Sequence, residues 1–329
     1  MADLARLAGV STSTVSRALA GSALVPQATR REIEALAARH GYVANLGARR
    51  LRTARTDVVA VVFPLAHEQG QPISDPFFLE LVGHLADAVS ARGCDTLLIR
   101  VPAPTEGWLE RLWQSGRADG VLVIGQSDQH EALNAAAAAG APMVVWGARR
   151  ADQRYCTVGV DNEAGARAAT EHLLAAGRRR IAFVGGADAP EFADRRRGYE
   201  AALRASGLAP DPERELQTHL SGDDLAAPLM ARLEADPEID AVVCATDMIA
   251  VGVVRALLAC GRRVPQDVAV TGFDDIAAAA LTSPGLTTVR QDLAAGADAM
   301  VERLFALAAG RPAESLEMPA PLVLRDTTP

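Results

Sequence analysis

Seven short apolar runs punctuate the chain from Val58 onward: VVAVVF, TLLI, VLVI, MVVW, IAFV, AVVCA and VAVT. Their length is that of a strand buried on both faces. The stretches between most of them follow a different period. In FFLELVGHLADAVSARG, NEAGARAATEHLLAAG and MIAVGVVRALLACG, apolar residues recur every three or four positions and a glycine closes the run. That is the mark of a helix with one buried face. Short apolar strands alternating with amphipathic helices predict parallel sheets covered on both sides. The series is too long for one sheet, so two α/β subdomains with a cleft between them are expected.

Before Val58 the period is helical throughout. DLARLA places Leu4, Leu7 and Ala8 on one side, and Gly9 can end the helix in the left-handed conformation. Ser11 can cap a second helix, from Thr12 to about Leu19, with Val15, Ala18 and Leu19 as its apolar stripe. A third follows Pro26, with Ile33, Leu36 and Ala37 inward and Gly41 as its stop. Two short helices joined by a tight glycine turn, with a third behind, predict a helix-turn-helix unit. The outward face of the second helix carries Thr12, Ser13, Ser16 and Arg17. Short hydroxyls let a helix approach base edges and phosphates closely, and arginine can pair with guanine through two hydrogen bonds. An ordinary three-helix bundle has the same spacing, and charge separates the two readings. The chain carries −8 overall, yet residues 1–55 hold nine arginines against three acidic residues, a net +6 that leaves −14 for the rest. A basic head on an acidic body fits a phosphate-binding module joined to a different kind of domain.

Composition narrows the remaining classes. At 329 residues and 49% hydrophobic, the chain can build more than one core. No apolar run approaches the ~18–20 residues of a membrane span. The N-terminus has no charged start followed by an apolar stretch, so a cytoplasmic location and no membrane partner are expected. Cys94, Cys156, Cys244 and Cys260 are scattered without a CxxC pair and read as reduced thiols. His40, His67, His84, His130, His172 and His219 show no metal spacing. GGAD after IAFV is a strand–helix turn and lacks the GxGxxG of a nucleotide site. No ordered nucleophile–base set is visible, so neither catalysis, nor a cofactor, nor a metal is expected. Parallel sheets bind ligands at the carboxyl ends of their strands. The loops there, SDPFF, IGQSD, WGARR, VDNEAG, GGADAPEFADRRRGY, ATDM, GFDD and TTVRQD, offer carboxylates, amides, arginine and aromatics.

DLARLAGVSTSTVSRAL and TRREIEALAARHGYVAN resemble the DNA-binding head of the lactose/galactose-repressor family of bacterial transcription regulators. The resemblance implies that the second helix reads the major groove. Thr12, Ser13 and Arg17 become base-reading candidates, and Ser11, Thr14, Ser16 and Asn45 become phosphate or groove contacts. The residues that usually precede the first helix, with their threonine cap, are missing. Either the true start lies upstream or the first helix is poorly capped, at roughly 1 kcal/mol. NLGARRLRTART reads alone as a basic linker. In the family it is a hinge that becomes helical only on DNA, where two copies enter the minor groove. By position Leu51 is the intercalating wedge and Ala48 the place where the two helices meet. Ala44 stands where a proline is common, and Gly47 weakens the hinge helix by ~1 kcal/mol relative to alanine. Arg49, Arg50 and Arg52 offset this through phosphate contacts, and the hinge is expected to be disordered off DNA.

VDNEAGARAATEHLLAAGRRRIAFVGG, CATDMIAVGVVRAL, VPQDVAVTGFDDIAAAALTSPGLTTVRQD and LVLRDTT resemble the family's effector-binding core, which is similar to periplasmic sugar-binding proteins. The implied fold is an α/β chain: a three-helix head (1–44), a hinge (45–56) and two Rossmann-like subdomains, 57–157 with 287–313 and 158–286 with 314–329. By matching position Arg195, Asp274 and Gln291 are pocket residues. Asp247 lies in a motif whose preceding residue is usually asparagine; here it is Thr246, which removes an amide and points to a changed contact set. Asp75, Phe77, Phe78, Gln126, Trp146 and Asp161 are further lining candidates, with plain core packing as the alternative for Trp146 and Phe78. Paired polar groups beside an aromatic platform suit a mono- or disaccharide, and a purine co-repressor is the alternative ligand. The expected protein is a homodimeric repressor that leaves a near-palindromic operator when an effector alters the angle between subdomains. The helices at 77–92 and 291–309 are expected at the dimer surface, with no tetramerising tail before Pro329. A transporter's solute-binding protein and a sugar-acting enzyme are the competing readings. The basic head and missing signal peptide oppose the first, and the absence of a catalytic set opposes the second.

Overall fold

A computed structural model of the chain describes residues 1–19, 22–42, 55–64, 73–102, 104–186, 189–218 and 225–329. These divide into two units, Met1–Arg55 and Thr56–Pro329. In the first, three helices (α1, Ala2–Leu7; α2, Thr12–Leu19; α3, Gln27–Arg39) enclose Leu4, Ala5, Val15, Ala18, Val25, Ile33 and Ala37. The expected glycine turn is present: Gly9 has φ +60°, and the Val10 N–H reaches back to the Ala5 carbonyl at 3.0 Å. Ser11 Oγ accepts from the Thr14 N–H at 3.1 Å and caps α2. Helix α1 has no side-chain cap. Leu7 departs from the expected inward face and is 52% exposed, because α1 ends there and carries it past the core.

The second unit contains two six-stranded sheets. The first is built from β1 (Val58–Pro64), β2 (Asp95–Val101), β3 (Gly120–Ile124), β4 (Met143–Trp146), β5 (Cys156–Val160) and a returning strand, β11 (Leu316–Met318). Its order is β11-β5-β4-β3-β1-β2, all parallel. The second sheet takes β6 (Ile181–Gly185), β7 (Glu215–Gln217), β8 (Ala241–Cys244), β9 (Ala269–Asp274), β10 (Thr287–Arg290) and β12 (Leu322–Val323), in the order β12-β10-β9-β8-β6-β7. Among the described residues only its edge pair β10–β12 is antiparallel. Helices α4 (Pro76–Ser90), α5 (Trp108–Gln114), α6 (His130–Ala138) and α11 (Leu293–Ala308) cover the first sheet. Helices α7 (Asn162–Ala175), α8 (Pro190–Ala205), α9 (Ala226–Ala235) and α10 (Asp247–Ala259) cover the second. Among the described residues no helix is long and apolar enough to cross a membrane.

All seven apolar runs form strands. The subdomain boundaries fall elsewhere than expected. The cut at 157/158 lies inside β5, which stays in register with β4 and β11. Residues 287–290 pair with β9, so they belong to the second subdomain. Residues 316–318 pair with β5 and belong to the first. The chain therefore crosses between subdomains three times, at Asp161, at Gln291–Asp292 and between β11 and β12.

Two glycines set helix positions. A Cβ on Gly198 would lie 2.1 Å from the Glu163 carbonyl oxygen, so its absence lets α8 rest on α7. A Cβ on Gly296 would meet the Trp146 ring at 2.3 Å, so α11 leaves room for the indole. The C-terminal residues are tied in as well. Thr327 is fully buried; its hydroxyl donates to the Val270 carbonyl at 2.7 Å and accepts from the Thr287 N–H at 2.8 Å.

Candidate functional site

On the head, Thr12, Ser13 and Arg17 are exposed along α2 and Ser16 is partly buried. Ser11 and Thr14 are engaged at the helix start: Ser11 Oγ lies 2.8 Å from both Ser13 Oγ and Thr14 Oγ1. These two hydroxyls hold the N-terminus of α2, which presents Thr12 and Arg17. Asn45, Ala48 and Leu51 lie outside the described residues, as do the neighbouring Ala44, Gly47, Arg49, Arg50 and Arg52.

Between the two sheets of the second unit lies a cleft with about 860 Å³ of empty space, open solvent included. It is bounded by the carboxyl ends of β1, β3, β4, β5 and β9 and by the first turns of α4, α7, α8 and α10. One wall is aromatic. Phe78 meets Phe63 edge-on at 5.3 Å and Phe77 at 5.8 Å, and Phe77 lies 6.4 Å from Trp146. Phe192 and Met248 face them from the second subdomain. Trp146 is both core and lining: it packs on α11 and is 5% exposed to the cleft.

The polar side is built around Arg195. Its Nε donates to Asn162 Oδ1 at 2.8 Å. One terminal nitrogen donates to the Ala245 carbonyl at 2.5 Å and lies 3.4 Å from Asp274 Oδ1. The guanidinium stacks 3.7 Å above the Phe273 ring, which replaces part of its lost hydration. Gln291 donates to the same Asp274 oxygen at 2.7 Å. Burial raises the Asp274 carboxyl to about 7; Arg195 and Gln291 oppose that rise, and the charge of Asp75 adds to it. Burial also lowers Arg195 from its ordinary value, against the pull of Asp274. Asp274 has φ 122°, a conformation an L-residue adopts only under strain. The strained turn aims its carboxylate into the cleft.

Of the eleven pocket residues expected from sequence, eight line the cleft: Asp75, Phe77, Phe78, Trp146, Arg195, Thr246, Asp274 and Gln291. Asp75 also caps α4, accepting from the Phe77 N–H at 2.9 Å. Thr246 caps α10 through Ile249, a role an asparagine could also fill. The other three serve the walls. Gln126 turns behind the cleft, donating to the Ala148 carbonyl at 2.7 Å and to Tyr155 Oη at 3.1 Å. Asp161 caps α7 by accepting from Ala164 at 2.9 Å, so its neighbour Asn162 faces inward instead. Asp247 is fully buried beneath Asp274 and holds the Thr288 hydroxyl at 2.5 Å and the Ile276 N–H at 2.9 Å. Sequence reasoning missed Asn162, Ser127, Glu191 and Phe192, although all lie in quoted strand-end loops. The signal for Asn162 was its place just after a capping aspartate.

Comparison with known proteins follows this division of the chain. Residues 1–45 match the family described as bacterial regulatory proteins, lacI family, and residues 170–328 match the periplasmic binding protein-like domain. The HTH-type transcriptional regulator CelR of Thermobifida fusca is 35% identical over 88% of this chain and 85% of its own length. A solved complex of a transcriptional regulator CelR with cellobiose superposes with TM-score 0.73 at 32% identity, covering 98% of each chain. The lac repressor dimer bound to operator and the anti-inducer ONPF gives TM-score 0.85 at 26% identity, covering 99% of this chain and 98% of that one. A helix-turn-helix head and a two-subdomain cleft in one chain, with these relatives, lead to one conclusion: the chain belongs to the lacI family of bacterial regulatory proteins and is a ligand-responsive, DNA-binding transcriptional regulator.

Proposed function

We propose that this regulator is a cytoplasmic, homodimeric repressor of saccharide-utilisation genes, released from a near-palindromic operator by a mono- or disaccharide. The observation that carries the reading is the pairing of an aromatic wall (Phe77, Phe78, Trp146) with the Arg195–Asp274–Gln291 hydrogen-bond set across one cleft. Sugars present apolar C–H faces and ringed hydroxyls, and such a site meets both. The cellobiose held by CelR and the operator-bound dimer of the lac repressor support the same assignment. Thr12, Ser13 and Arg17 read bases. Asn45, Ala48 and Leu51 would meet the minor groove in the segment between head and core.

Coupling requires that the ligand bind one arrangement of the subdomains more tightly than the other. Asn162 and Gln291 stand at two of the three crossings and also touch the ligand-facing pair Arg195–Asp274. A saccharide on that pair therefore acts directly on the crossings. The test has two arms. Operator DNA from the protein's own promoter region should shift in a gel, with affinity falling steeply as salt rises. A saccharide panel should contain a member that raises the melting temperature and abolishes the shift. A panel with no stabilising member would refute the saccharide reading, and binding to no upstream DNA would refute the repressor reading.

A further inference from the structure

The three chain crossings join the subdomains along one side only. They run through β5, β10, β11 and β12, the outer two strands at one edge of each sheet. Among the described residues no chain crosses nearer to β1–β2 or β6–β7, so side-chain contacts must hold the cleft together there. Two such contacts reach across it. Glu80, on α4 of the first subdomain, accepts from the Ala277 N–H of the second at 3.3 Å. Glu191, on α8 of the second subdomain, accepts from the Ala148 N–H of the first.

The two contacts occupy equivalent places. Strands β1–β5 and β6–β10 are laid down in the same spatial order, each series with a returning strand at its edge. Helix α4 follows the first strand of its series and α8 the first of its own. Each begins on a proline and carries its glutamate near its start. Ala148 and Ala277 lie just beyond β4 and β9, the fourth strand of each series. Burial raises the Glu191 carboxyl, and its own N–H, the Arg195 charge and the Ala148 N–H oppose that rise. Phe77, one turn before Glu80, packs against the apolar cores of both subdomains.

We propose that Glu80 and Glu191 are a matched pair of latches, positioning residues that draw the subdomains together without help from the effector and so set how much of the protein stands ready to bind it. The inference does not depend on what the effector is. Opening is a collective motion about the crossings, so it breaks both latches at once. Loss of either raises the open population and weakens the apparent affinity in proportion.

Amide hydrogen exchange of the full chain with no ligand added, followed by NMR at single residues, tests the pairing. Glu80→Ala should speed exchange about threefold at Ala148, whose own acceptor is untouched, and Glu191→Ala should do the same at Ala277. Glu80→Gln and Glu191→Gln keep a carbonyl oxygen that can accept, so they should restore most of the protection. The amides of Val61 and Val243, in the middle of each sheet, should keep their rates. Faster exchange only at the amide that lost its own acceptor would overturn the pairing and leave two local contacts. An equal rise at Val61 and Val243 would overturn it too, because the whole fold would then have loosened. Glutamine variants as unprotected as the alanine ones would overturn the acceptor role, and unchanged rates at all four amides would overturn the contacts themselves. None of these outcomes bears on the saccharide reading, which the ligand panel decides.

Discussion

Arg195 concentrates the physics of the cleft in one side chain. It is 5% exposed, stacked on Phe273, and forked between an amide, a carbonyl and a carboxylate. A lysine keeps the charge but cannot fork, so it must abandon Asn162 or Asp274. Arg195→Lys should retain operator binding and lose ligand-induced release, read as a gel shift that persists when effector is added. Asp274 sets a pH dependence. Its carboxyl is raised to about 7 in the folded chain, against about 4 when unfolded. The folded state thus binds the proton more tightly, and the stability it gains at low pH is lost as pH rises from about 4 through about 7. Melting temperature should fall across that window, and Asp274→Asn should make the fall shallower. Glu191 and Asp247 are raised by burial too, so some slope should remain.

At the scale of elements, the tightest constraint is the contact of α8 with α7. Gly198→Ala forces a methyl against the Glu163 carbonyl and should cost about 1–3 kcal/mol, measured by denaturant unfolding. Because α7 starts at Asn162 and α8 carries Arg195, effector affinity should fall with it. Elements were legible where burial shows in composition. The seven apolar runs and the large helices announce themselves because their side chains meet only other apolar groups. Residues 287–290 did not, since Thr287 and Thr288 are buried through hydroxyl partners that lie far away in sequence: Thr328, the Arg325 carbonyl and Asp247. The short strands β7, β11 and β12 have only two or three residues on which a period could show. The candidate site was legible through matched motifs and not through composition, and it failed where polarity serves the wall. Arg195 and Asp274 face the cleft from matched motif positions. Gln126, Asp161 and Asp247 are just as polar, but each satisfies a backbone group inside the wall, a distinction that depends on rotamer and neighbour.

At the scale of the molecule, three crossings join the subdomains, and each lies between strands paired in opposite sheets. Closing or opening the cleft must bend all three together, which makes the motion collective and lets a small ligand command it. The tail takes part in this through a feature remote from the cleft. Thr327 bridges β9 and β10 by holding the Val270 carbonyl and the Thr287 amide, and β9 ends in Asp274. Removing residues 327–329 would strand both backbone groups without partners, at about 1–3 kcal/mol each. The truncated chain should melt earlier and respond less to effector, seen as a smaller thermal shift at the same concentration. The last few residues are thus a keystone for the floor of the cleft, and any engineering of this sensor should leave that end intact.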